Sequence, residues 1–78
     1  MQEFHIALKS FQEVQEFVVL ATQQPFRVLV GNDVQQVNAK SFMGMVSLDY
    51  NRPLLVRADC DSMAIQSLRN VMKKFVEN

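Results

Sequence analysis

The sequence has only one cysteine, no excess of charge of either sign and no long apolar run. Cys60 alone cannot form an intrachain disulfide, and it leaves a zinc site without its usual pair of thiolates. Eight basic residues balance eight acidic ones without a Lys or Arg cluster, which argues against a nucleic-acid partner. The longest apolar stretch, residues 17–21, is too short to cross a membrane, and the N-terminus lacks the layout of a signal peptide. We therefore expect a cytoplasmic protein without a membrane partner, a bound metal or another cofactor.

The first part of the chain predicts a strand followed by a helix. The chain has 78 residues, enough for a single small domain over 1–78 with a modest core. Residues 4–8 alternate between apolar and other side chains, which is typical of a half-buried strand. "SFQE" at 10–13 matches a capping box, in which Ser10 accepts from the Glu13 N–H and the Glu13 side chain reaches back to the Ser10 N–H. The helix that follows has an apolar stripe before Pro25, formed by Val14, Phe17, Val18 and Ala21.

The rest of the chain predicts a hairpin, a short helix, a strand and a last helix. Strands are expected over 26–30 and around 34–37, and "GND" between them supplies a turn. We expect about two turns of helix at 41–48 and another strand at 54–58. Asp61 opens the last helix, whose predicted stripe is Ala64, Leu68, Val71 and Phe75. The order β-α-β-β-α-β-α predicts an α+β fold, an antiparallel four-stranded sheet with helices packed on one face.

With this order in hand, "VNAKSFMGMVSL" at 37–48 resembles the regulatory-serine segment of the HPr family, the histidine-containing phosphocarriers of the bacterial sugar phosphotransferase system. "QEFVVLA" and "AIQSLRNVMKKF" are similar to the first and last helices of that family. The resemblance implies an open-faced β-sandwich, a cytoplasmic location and protein partners. Those partners would be an HPr-type serine kinase, a transcription regulator or components of the phosphotransferase system.

The chain departs from the family at the phosphorylatable histidine. Family members carry Gly-Leu-His-x-Arg-Pro at the start of the first helix, whereas this chain reads "LKSFQEVQEF", and Ser10 falls near the position of the histidine. A phosphohistidine carrier needs an imidazole nucleophile and a cation or donors for the phosphoryl group, and Glu13 would repel that group. His5 is the only histidine, and the alternation places it on the solvated side of the first strand. The catabolite-repression HPr-like proteins also lack the family histidine.

Ser41 has two compatible interpretations. As a helix N-cap it would stabilise the short helix by about 1 kcal/mol relative to Ala. The resemblance implies that the same serine is a regulatory phosphorylation site. A phosphoserine at a helix N-terminus would meet free N–H groups and add about two negative charges to the surface.

The apolar run after Ser41 predicts a surface for protein partners. Two helical turns cannot bury all of its side chains, and exposed Met and Phe suit an adaptable binding surface. The alternative is that a small domain uses Met as a core filler. The candidate partner surface consists of Lys40, Phe42, Met43, Met45 and Val46.

The sequence therefore predicts a non-enzymatic regulatory or protein-binding module that has lost the phosphohistidine site. One alternative is a residual phosphocarrier that accepts a phosphoryl group at Ser10 or His5. Another is a domain whose only role is interaction or oligomerisation. Cys60 lies between Asp59 and Asp61, whose charges disfavour a reactive thiolate, and the three residues together are a weak metal signal.

Overall fold

A computed structural model describes residues 1–77, so residue 78, the last of the predicted single domain, lies outside the described residues. Three α-helices and four strands follow one another along the chain in the predicted order, and a 3₁₀ turn comes after the last helix. Their bounds are β1 (Gln2–Ile6), α1 (Phe11–Thr22), β2 (Val28–Gly31), β3 (Gln36–Asn38), α2 (Phe42–Val46), β4 (Leu54–Ala58) and α3 (Ser62–Val71), with the 3₁₀ turn at Lys73–Phe75.

The four strands form one antiparallel sheet in the order β1-β4-β2-β3. The predicted hairpin is present, since β2 pairs with β3 and its turn is closed by Asn32, whose Oδ1 accepts from the Val34 and Gln35 N–H groups at 2.9 Å each. β4 lies in the interior of the sheet between β1 and β2. The predicted α+β class is confirmed.

The two faces of the sheet differ in burial. Alternate residues of β1, β2 and β4 turn toward the helices and are fully or nearly fully buried, together with the α1 stripe predicted from the sequence. The opposite face carries His5 and Glu3, which pair in register with Leu55 and Arg57. Arg57 Nε lies 3.0 Å from Glu3 Oε2 as an ion pair whose geometry does not meet that of a hydrogen bond. The helices therefore cover one face, as in an open-faced sandwich.

The first strand begins and ends two residues earlier than predicted. It covers Gln2–Ile6 instead of 4–8, and Leu8 is buried although it lies outside the strand. The apolar alternation continued past the strand because the connection to α1 also places an apolar side chain in the core. Alternation reports burial, whereas the end of a strand depends on backbone pairing with β4.

The predicted stripe of the last helix is wrong at one position. Val71 is 49% exposed, whereas Met72 is fully buried and Ile65 and Leu68 supply the buried face of α3. The helix ends at Val71 and the chain continues as a 3₁₀ turn with about three residues per turn. Met72 follows Leu68 by four residues, its N–H donates to the Leu68 carbonyl oxygen at 3.0 Å, and the two side chains therefore lie on the same buried face, whereas Val71 lies beside it.

The residues after α3 are hydrogen-bonded to the end of the first strand. The Ala7 N–H donates to the Phe75 carbonyl oxygen at 2.8 Å, and the Glu77 N–H donates to the His5 carbonyl oxygen at 2.9 Å. Ile6 and Val76 form an isolated antiparallel bridge between these bonds. Residues 75–77 thus cover the outer edge of β1 at its C-terminal end.

Candidate functional site

Ser10 caps α1, as the sequence predicted. The Glu13 N–H donates to Ser10 Oγ at 3.2 Å. The reciprocal bond differs from the prediction, because Glu13 Oε1 accepts from the Lys9 N–H at 2.8 Å and not from that of Ser10. The backbone at Ser10 is extended (φ −153°, ψ 162°), so successive N–H groups point to opposite sides, and the Lys9 N–H is the one that meets the carboxylate.

Ser41 caps α2 with the same geometry. The Gly44 N–H donates to Ser41 Oγ at 3.2 Å, and the Ser41 residue is exposed. Its neighbour Lys40 is held in place, because its backbone N–H donates to Asn38 Oδ1 at 2.9 Å and its Nζ donates to the Gln24 carbonyl oxygen at 2.7 Å. The ammonium group of Lys40 is therefore already hydrogen-bonded within the protein.

The apolar run after Ser41 divides between core and surface. Met43 is 75% exposed, and Phe42 and Val46 are half-buried. Met45 is only 1% exposed, so its assignment to the partner surface is wrong and the core-filler alternative holds for this residue. The reason is the packing of α2, which turns the side of the helix that carries Met45 toward the core.

Sequence reasoning missed Phe11, which joins this surface from α1. Its ring is half exposed and contacts the Phe42 ring edge-on, with 5.5 Å between centroids and 80° between planes. Phe11, Phe42, Met43 and Val46 together form what we call the helix-start patch. A signal was present in the sequence, because Phe11 is a large apolar residue that the α1 stripe leaves outside.

Phe11 directly follows Ser10, and Phe42 directly follows Ser41. The contact between their rings therefore brings the beginnings of α1 and α2 together on one side of the molecule. His5 does not belong to this group. Its side chain is exposed on the sheet face that the helices leave open, where it lines a groove of about 450 Å³ with Asp33 and Arg52.

A shallow depression of about 360 Å³ lies next to the beginning of α1. It is lined by residues 7–9, residues 50–53 and Glu77, which come from three separate segments of the chain. Lys9 and Arg52 are its two cationic side chains. No sequence pattern indicates this depression, because residues 7–9, residues 50–53 and Glu77 meet there only in the folded molecule.

Cys60 has the environment of an unreactive thiol. Burial raises the pKa of the Cys60 thiol, and the neighbouring carboxylates of Asp61 and Asp59 raise this pKa further. Asp61 Oδ1 also accepts from the Ala64 N–H at 2.8 Å and caps α3, as predicted. Across residues 1–77 no group of three or more His, Cys, Asp and Glu side chains is arranged to hold a metal ion.

None of the helices within residues 1–77 is both long enough and apolar enough to span a membrane.

The fold is similar to solved HPr structures over nearly the whole chain. Against HPr-C-His from Thermoanaerobacter tengcongensis the TM-score is 0.74 with 26% identity, covering 95% of this chain and 93% of that one. The chain therefore has the HPr fold. Two further HPr-family structures share the fold with a TM-score of 0.72 each. The histidine-containing phosphocarrier protein of Mycoplasma matches at 15% identity over 99% of this chain and 100% of its own, and phosphocarrier protein HPr from Bacillus anthracis at 18% over 97% and 94%.

No family model matches the sequence, and no curated protein matches it either. The HPr fold is therefore seen here through its architecture more than through its sequence.

Proposed function

We propose that this chain is a member of the HPr family that serves as a non-enzymatic regulatory module, binds protein partners through the helix-start patch and is controlled by phosphorylation of Ser41. The partners would belong to the phosphotransferase system or to carbon-catabolite control, in the cytoplasm. The observation that carries the proposal is the position of Ser41. Ser41 is an exposed residue, it caps α2, and the next residue is part of an apolar patch built from two helices.

Phosphorylation at Ser41 is compatible with the fold. The phosphate oxygens can accept from the Gly44 N–H, which now donates to Ser41 Oγ, so the modification perturbs α2 little. It also places about two negative charges beside Phe42 and Met43. An apolar patch that gains such a charge at its border changes the partners that it prefers.

Loss of the carrier role is supported by the chemistry at the beginning of α1. No histidine stands there, and Ser10 Oγ and Glu13 Oε1 already accept from the backbone N–H groups of Glu13 and Lys9. A serine phosphate ester lacks the reactive P–N bond of a phosphohistidine. Ser10 could end a transfer chain but not relay it.

The first test measures the intact mass of the protein after two separate incubations. One uses phosphoenolpyruvate with the general phosphotransferase enzyme, and the other uses ATP with an HPr serine kinase. We expect one added phosphate only in the second incubation, lost in Ser41→Ala and retained in Ser67→Ala, an exposed serine of α3. Phosphate added in the first incubation would contradict the proposal and favour a carrier at Ser10 or His5.

The remaining alternative is a domain used only for interaction or oligomerisation. Ser41→Asp separates it from a switch, because Asp keeps the N-cap while adding a charge. A regulatory module predicts a clear change in partner affinity for Ser41→Asp, whereas the interaction-only alternative predicts none. Phe11→Ala should weaken partner binding under both alternatives, and that result would identify the helix-start patch as the binding surface.

A further inference from the structure

The five methionines of the chain fall into two groups by exposure. Met45 and Met72 are 1% and 0% exposed and belong to the core, whereas Met43 and Met63 are 75% and 81% exposed. Met1 is also exposed. Oxidation of a thioether requires the oxidant to reach the sulfur atom, so the folded protein offers the three exposed methionines, and not the two buried ones, to an oxidant in solution.

Hydrogen peroxide converts an accessible methionine to methionine sulfoxide without a catalytic group on the protein. A lone pair of the thioether sulfur attacks one peroxide oxygen, the O–O bond breaks and an S–O bond forms. The hydroxide that leaves takes the proton of the transferred oxygen, so the products are one sulfoxide and one water. Sulfur loses two electrons and the peroxide gains them. The side chain changes from apolar to polar, and methionine sulfoxide reductases can return it to the thioether.

Met43 is the exposed methionine that belongs to the helix-start patch. It lies in the first turn of α2, two residues after Ser41 and next to Phe42. Val46 follows Met43 by three residues, and side chains at this spacing are neighbours on a helix surface. Of the other two exposed methionines, one precedes β1 and the other lies in the first turn of α3, so neither is part of this patch.

We propose that Met43 is an oxidation site through which hydrogen peroxide weakens the binding of protein partners to the helix-start patch. This inference rests on the proposed function, in which that patch is the binding surface. In the free protein the sulfoxide of Met43 stays in water, so the fold should keep its stability. In a complex the same group would be covered by apolar atoms, and burial of a polar group without a hydrogen-bond donor is unfavourable. We expect partner affinity to fall by about five- to tenfold.

Oxidation of Met43 and phosphorylation of Ser41 change the patch in different ways. The side chain of Met43 takes no part in the α2 cap, where the Gly44 N–H donates to Ser41 Oγ at 3.2 Å. Oxidised protein therefore keeps the cap and an exposed Ser41. The sulfoxide adds a dipole and no net charge, whereas a phosphate adds about two negative charges. A kinase that acts on Ser41 also approaches Met43, so it should act more slowly on the oxidised protein.

The test compares two variants, each before and after treatment with hydrogen peroxide. Met63→Leu keeps the methionine of the patch, and Met43→Leu keeps the exposed methionine of α3. Both retain Met1, and Leu is apolar and similar in volume to Met. Peptide mapping by mass spectrometry gives the oxidised fraction at each position. We expect oxidation of the exposed methionines to be at least about tenfold faster than that of Met45 and Met72 while the protein is folded.

Two readouts then follow the patch itself. One is the rate at which an HPr serine kinase phosphorylates Ser41 with ATP, and the other is retention of the protein on a phenyl resin, which depends on exposed apolar surface. Peroxide should slow phosphorylation of Met63→Leu by about five- to tenfold and shorten its retention. It should change both readouts much less for Met43→Leu, since the sulfoxide then forms outside the patch.

Each outcome bears on a different claim. Oxidation of Met45 as fast as Met43 in the folded protein would overturn the site, and so would equal effects of peroxide on the two variants. If the kinase phosphorylates neither untreated variant, control through Ser41 is refuted, and retention on the phenyl resin decides the role of Met43 by itself. If Ser41 is phosphorylated at the same rate before and after oxidation and retention is unchanged, the role of Met43 is refuted while the proposed function stands.

Discussion

At the scale of single residues, the two glycines have different reasons to be glycine. A Cβ at Gly31 would collide with the Gln35 carbonyl oxygen and lie 2.7 Å from Gln36 Cα, so the β2–β3 hairpin has no space for a side chain there. A Cβ at Gly44 would meet Val37 Cβ at 3.3 Å and Ser41 Oγ at 3.4 Å, which side chains can accommodate by small shifts. Only Gly31 is fixed by contact with backbone atoms.

We expect Gly31→Ala to destabilise the protein by about 2 kcal/mol or more, because the hairpin backbone has to move away from the new methyl group. Gly44→Ala is the matched control. The tight contact with Val37 opposes the gain of up to about 1 kcal/mol from replacing Gly by Ala within a helix, so its net effect should be small. Urea denaturation of both variants measures the difference, and an equal effect of the two would contradict this account.

The raised pKa of Cys60 leads to a second prediction, on the rate of alkylation by iodoacetamide. A raised pKa leaves less thiolate at a given pH, so the folded protein should react more slowly at pH 8 than the protein unfolded in urea, and its rate profile should lie at higher pH.

Asp59→Asn and Asp61→Asn each remove one charge that raises this pKa, so each should accelerate alkylation, about twofold or more. Asn at position 61 still caps α3, which keeps the fold unchanged. If the folded and unfolded proteins react at the same rate at every pH, burial of Cys60 has no influence on its thiol.

At the scale of elements, each α-helix begins with a side chain that accepts a backbone N–H three residues later. Ser10, Ser41 and Asp61 fill this role. Caps and apolar stripes depend on residues close together in the sequence, and for that reason the positions of α1, α2 and β4 could be predicted. The stripe predicted for α3 is wrong at Val71, because the buried face runs through Ile65, Leu68 and Met72, and the choice between the adjacent Val71 and Met72 depends on tertiary packing.

Ser10→Ala should lower the free energy of unfolding by about 1 kcal/mol through loss of the cap, and Ser10→Asp should retain most of the stability. Ser62→Ala serves as the control, since Ser62 is exposed in the first turn of α3, and its effect should stay within about 0.5 kcal/mol. Thermal or urea denaturation distinguishes the three variants. A loss for Ser62→Ala equal to that for Ser10→Ala would refute a specific capping role.

At the scale of the whole molecule, the residues after α3 connect the helical layer to the sheet. The Phe75 ring is buried and meets the Phe17 ring edge-on at 6.2 Å between centroids. Next to it, Lys74 Nζ donates to Glu16 Oε2 at 2.6 Å, which joins the 3₁₀ turn to α1.

Phe75→Ala should therefore cost about 3–5 kcal/mol of stability, a large part of the roughly 4–12 kcal/mol expected for a chain of this size. Val71→Ala is the control, because Val71 belonged to the stripe predicted from the sequence but is half exposed, and it should change stability little. Urea denaturation measures both. A large loss of stability for Val71→Ala would instead support the stripe predicted from the sequence, in which Val71 belongs to the core.

Features formed by distant segments could not be predicted from the sequence. The contact of Phe11 with Phe42 joins two helices, and the depression with Lys9 and Arg52 needs three segments in place. Met45 was assigned to the surface for the same reason, since only the packing of α2 shows which of its apolar residues are covered. Local sequence patterns predict the helices and strands, whereas tertiary packing determines which side chains remain exposed to partners.

The order of pairing in the sheet has a consequence for synthesis of the protein. β1 is translated before its partner β4, which begins at residue 54, and before the segment that covers its outer edge, which begins at Phe75. Only β2 and β3 pair with a neighbour in the sequence. A nascent chain on the ribosome can complete that hairpin early, but the apolar side of β1 stays open to chaperones until β4 and residues 75–77 have emerged.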